Sequence, residues 1–141
     1  MKLLILPTIY FRIDTSGCFP YNGRTMNDCN LMNDSMNFAV SIVLMLDSIE
    51  KRGVLKHQLL RSATSIGANI REAQYASSRA DFISKLQIAL KESNESEYWL
   101  ELMARTQTLT QNAADSLLKE CRKIRFTLIR SINTAKQNVN A

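Results

Sequence analysis

Between residues 34 and 138 the chain repeats one pattern four times: apolar side chains recur every three or four positions, and each run is bounded by residues that cap or stop a helix. That period puts one side of each helix against a shared core. Four such helices joined by short turns specify an all-α fold, an antiparallel up-down-up-down four-helix bundle. In the first run Asp34 or Ser35 can cap the start. Met36, Ala39, Val40, Val43 and Leu46 form one row, and Phe38, Ile42, Met45 and Ile49 form a second. Two adjacent rows are more than one core contact needs. Gly53, after Glu50-Lys51-Arg52, reads as the stop, because glycine takes the left-handed conformation that ends a helix. A second run carries Leu55, Leu59, Ala63, Ile66, Ile70 and Ala73 to about Ala76. Ser77-Ser78 can cap a third, with Phe82, Ile83, Leu86, Ala89, Leu90, Ser93, Leu100 and Met103, ending near Thr106. The fourth starts at Asn112 or Asp115 and places Leu117, Leu118, Cys121, Ile124, Leu128, Ile132 and Ala135 on one row.

Composition agrees with this reading. Four Gly and two Pro in 141 residues are too few turns for a sandwich of short strands, and 45% hydrophobic residues argue against disorder. Residues 1–33 differ: Pro7, Gly17, Pro20 and Gly23 interrupt short apolar runs and no period persists, so this stretch reads as a poorly ordered extension ahead of a 34–138 bundle. Met26, Met32 and Met36 would each serve as a later start of translation. The opening MKLLILPTIY has too short an apolar run for a signal peptide, since Pro7 breaks it and Arg12 and Asp14 follow. No stretch has the roughly 18 to 20 apolar residues that span a bilayer. Cys18, Cys29 and Cys121 are odd in number and far apart, which suits a reducing cytoplasm and gives no disulfide framework.

Charge is uneven. The net +5 comes almost wholly from residues 108–141, which hold six Lys or Arg against Asp115 and Glu120. Lys119, Lys123 and Arg130 fall near one stripe of the fourth helix, with Arg122 and Arg125 beside it, away from the apolar row. Such a face is either a solvated surface or a nucleic-acid footprint.

Catalytic apparatus is absent from the pattern. Glu92, Glu95, Glu97 and Glu101 invite a di-iron reading, but no Glu-x-x-His motif accompanies them, and Lys91 to Glu95 has the spacing of a surface pair. His57 cannot be tied by spacing to a nucleophile, and Gly67 stands alone inside a helix rather than in a phosphate loop. No cofactor or metal is expected. The run Ser62-Ala63-Thr64-Ser65-Ile66-Gly67-Ala68-Asn69 is instead a helix-packing motif. Ser62, Ser65, Gly67 and Ala68 let another backbone approach closely, and Asn69 is expected to hydrogen-bond across helices. Tyr98 and Trp99, about 100° apart on one helix, cannot both face one core, so one of them is expected at a subunit interface or a base-stacking platform.

The stretches Leu59-Leu60-Arg61-Ser62-Ala63-Thr64-Ser65-Ile66-Gly67-Ala68-Asn69-Ile70-Arg71-Glu72-Ala73, Asp81 to Glu92 and Glu95 to Leu102 closely resemble the four-helix-bundle proteins encoded by intervening sequences inside bacterial 23S ribosomal RNA genes. The resemblance begins near Phe38 and covers about a hundred residues, leaving residues 1–33 without a counterpart. It implies a small cytoplasmic bacterial bundle without catalytic activity that assembles with itself as a ring, usually a pentamer. A relative in the same family is the accessory protein of diversity-generating retroelements, whose basic surface binds nucleic acid and a reverse transcriptase. Arg71 departs from the family's usual small residue. The leading expectation is an oligomeric bundle that binds structured RNA or DNA through Lys119, Arg122, Lys123, Arg125 and Arg130. The alternative is a protein-interaction scaffold with no nucleic-acid role.

Overall fold

The computed structural model describes residues 20–21, 24–25 and 31–137. Pro20–Tyr21 and Arg24–Thr25 form a two-residue antiparallel pair. Four helices follow, α1 (Leu31–Asp47), α2 (Gly53–Gln74), α3 (Arg79–Arg105) and α4 (Gln111–Gln137). Each packs against its neighbours around a closed four-helix core, as the period demands. The rest of the proposed extension, and Cys18 and Cys29 within it, lie outside the described residues.

The first helix begins at Leu31, ahead of the expected Asp34 cap, and Leu31 is buried in the core. Asp34 instead supplies negative charge to the first turn, where it complements the free N–H groups. The core row of α1 is Leu31, Ser35, Phe38, Ile42 and Leu46, while the adjacent row of Met36, Val40 and Val43 stays exposed. At the far end α1 stops at Asp47, and Gly53 is the first residue of α2 rather than the stop expected from glycine. Arg52 takes the left-handed conformation there (φ 61°), and Lys56 Nζ reaches back to the Ile49 carbonyl to close the turn. Gln107, in the α3–α4 turn beside it, is the other left-handed non-glycine residue among those described (φ 54°).

Ser78 caps α3 as expected, accepting from the Asp81 amide, and Asp81 returns a carboxylate to the amide of Ser77. The 27 residues of α3 make a rod of about 40 Å. Thr110 Oγ1, not Asn112 or Asp115, faces the first free amides of α4. Between α2 and α3 the core carries hydroxyls: Ser62 and Ser96 are fully buried and their oxygens lie 2.9 Å apart, each also bonded within its own helix to a carbonyl, Leu59 or Glu92.

Candidate functional site

Two surfaces account for the residues singled out from sequence. On the first, α1 meets α2 through the small-residue run. Gly67 faces Ser35, and a Cβ at Gly67 would lie 3.3 Å from the Ser35 hydroxyl, so the two helices approach as closely as a glycine allows. Outside this contact is a groove of about 300 Å3 lined by Met32, Ser35, Met36 and Ala39 of α1 and Thr64, Gly67, Ala68 and Arg71 of α2. The exposed row of α1 continues the groove outward, with Met36 51%, Val40 48% and Leu44 65% exposed. No ion pair joins α1 to α2 among the described residues. The other members of the run serve elsewhere: Ser62 turns to α3, and the Asn69 amide donates to the carbonyl and hydroxyl of Ser65 in its own helix. The expected cross-helix bond of Asn69 is therefore corrected. Its side chain is only half-buried, and it bonds back to the preceding turn of its own helix, as short polar side chains in helices do.

The second surface is the α3–α4 seam. Glu97, whose side chain is 13% exposed, accepts from Arg122 at 2.6 Å and from Arg125 at 2.8 Å, and Glu101 takes a second Arg122 nitrogen at 3.3 Å. Lys123 is 3.0 Å from Asp34 of α1. Three of the five cations read as a nucleic-acid face are thus held by carboxylates of the same bundle. The Glu97 hydrogen bond keeps the Arg122 guanidinium more firmly protonated than usual. Lys119 and Arg130 have no acidic partner among the described residues. Arg130 instead lies over the ring of Phe126, its guanidinium carbon 5.9 Å from the centroid. The sequence reading passed over Phe126, which is 63% exposed. The signal was present, since Phe126 falls on the stripe of Lys119 and Arg130 rather than on the apolar row.

The remaining glutamates are also engaged. Arg61 of α2 binds both Glu92 and Glu95, and Lys85 binds Glu72 at 2.6 Å, so ion pairs clamp α2 to α3. Glu95 pairs with Arg61 rather than with Lys91. The Arg61 hydrogen bond, and then that from the Trp99 indole at 3.1 Å, hold the Glu95 carboxyl below its ordinary range. Trp99 is accordingly packed and partnered, and of the two candidate interface aromatics only Tyr98 stands out, 57% exposed and edge-on to Trp99. No group of three or more His, Cys, Asp or Glu residues with metal-binding geometry occurs among the described residues. Cys121 is buried and donates to the Ser93 carbonyl, and burial pushes its thiol up to about 12. His57 is exposed. No helix among the described residues is long and apolar enough to cross a membrane.

A closed four-helix core with its carboxylates turned to arginines and lysines defines an all-α helical bundle. The chain belongs to the 23S rRNA-intervening sequence protein family, whose sequence profile matches residues 27–130. The match starts ahead of the boundary drawn at residue 34. A crystal structure from Bacteroides thetaiotaomicron, described as a protein with unknown function from the S23 ribosomal protein family, is 50% identical, with a TM-score of 0.70 over 72% of this chain and 97% of that one. No curated protein matches the chain.

Proposed function

We propose that the protein is a non-enzymatic bundle that assembles with further copies of itself and acts as an interaction scaffold. The carrying observation is the α1–α2 face, where Met36, Val40, Val43 and Leu44 form an exposed apolar row beside a groove floored by Gly67. A row of this length left in water disfavours a lone subunit, and the small side chains of α2 beside it admit close approach of another helix. The family membership supports the reading, since the resemblance seen in the sequence implies a ring. In a cytoplasmic setting such a ring could also recruit a second protein. Replacing Val40 and Leu44 with Lys should leave the circular dichroism of the bundle intact and shift its light-scattering mass to 16 kDa, the mass of one chain. A parent protein that is already monomeric at micromolar concentration would end this reading.

A second reading, nucleic-acid binding, is supported by the excess of cations on α4 and by Lys119 and Arg130, which have no carboxylate partner among the described residues. Its site is narrower than the five-residue face expected from sequence. Binding of labelled RNA or DNA that falls steeply with salt and weakens when Lys119 and Arg130 become Gln would support it.

A further inference from the structure

On the outer side of α4, Lys119, Phe126 and Arg130 lie within about 40° of one another around the helix, with the ring between the two cations. The cations are about 16 Å apart along the axis, and neither is neutralised by a carboxylate among the described residues. An exposed flat ring between unpaired cations complements a ligand that alternates flat faces with negative charges. Apart from Ile129, the neighbours of Phe126 on α4 are Arg122, Lys123 and Arg130, with Lys119 and Asn133 two turns away, a poor match for an apolar protein surface.

We infer that this strip binds single-stranded nucleic acid, with an unpaired base stacked on Phe126 and the flanking phosphates at Lys119 and Arg130. The inference rests on the nucleic-acid reading above and changes its ligand. A duplex keeps its base faces stacked inside, out of reach of Phe126, and the arginines that would widen the contact are committed to Glu97 and Glu101. An unpaired strand exposes the faces that an aromatic side chain can cover.

The test is fluorescence anisotropy at low salt with a short labelled single-stranded RNA and, in parallel, a labelled RNA duplex. Phe126→Ala should weaken the single strand at least about fivefold, and changing Lys119 and Arg130 together to Gln should flatten the salt dependence by roughly 1 to 2 in logarithmic slope. Arg122→Gln should behave like the parent. If the parent binds the duplex and Phe126→Ala binds the single strand undiminished, stacking at Phe126 is wrong while the nucleic-acid reading stands. If the parent binds neither, both fall. If Phe126→Ala changes the light-scattering mass and not the RNA affinity, Phe126 faces another copy and the inference is overturned.

Discussion

At the α1–α2 seam a glycine meets a serine and no ion pair crosses among the described residues, whereas at the α3–α4 seam one largely buried glutamate holds two arginines. The first seam gains closeness by deleting side chains and leaves an apolar groove open outside. The second is closed by long side chains that lie over it. The difference shows what a count of charges leaves out, namely which of them are paired within the bundle. The helix richest in cations has paired half of its six with carboxylates of the same bundle, and the helix with the least charge presents the most exposed apolar surface.

The largest effect that would break the comparison is at Gly67. Gly67→Leu should lower stability by about 1 to 3 kcal/mol, because its first carbon already crowds Ser35 and the rest must displace α1. Gly67→Ala should be nearly neutral, since Ser35 Oγ can give by a few tenths of an ångström and alanine favours the helix. An unchanged melting temperature for the leucine variant would mean that the two helices do not meet closely there.

Next comes Glu97→Gln, which leaves Arg122 and Arg125 without their shared charge and should cost about 1 to 2 kcal/mol in urea unfolding. An unaltered midpoint would assign the seam to its apolar contacts alone.

The smallest effect is electrostatic and sharpens the role of the α2–α3 pair. The folded-state pKa of Glu95 is depressed, so its contribution is present above the ordinary carboxylate value of 4.5 and is lost as pH falls through the lower folded value. Glu95→Gln should therefore reduce the loss of stability below about pH 4.5 by about a few tenths of a kcal/mol, a figure kept small because Glu95 is a third exposed. Parallel acid-unfolding curves for the parent and the variant would contradict it.

The apolar rows of α2, α3 and α4, the Ser78 cap and the close contact at Gly67 were legible in the sequence, because each follows from neighbours within one or two turns, whereas periodicity offered two rows on α1 and did not say which one faces the core. The partners of the cations were not. Glu97 and Arg122 are 25 residues apart, and their meeting depends on the register between two long helices, which periodicity leaves open. The α1–α2 turn failed for a related reason: Ile49 packs against the core and Lys56 binds its carbonyl, so the reversal comes before glycine and falls to Arg52. Of the strip proposed on α4, the sequence pattern singles out Lys119 and Arg130 and passes over Phe126, because a lone aromatic among charges carries no period.

The left-handed backbone at Arg52 has a consequence for how long α1 stays where it is. A non-glycine residue in that conformation costs roughly 1 to 2 kcal/mol, and only the tight reversal between α1 and α2 requires it. Straightening that turn would release the strain and carry α1, unclamped by ions on its α2 side, away from its own bundle. In a crowded assembly the vacated slot can be filled by the same helix of a neighbour, which is the route of domain exchange. Amide protons of α1 should then exchange ahead of those in α2 and α3, and at a rate that depends on protein concentration.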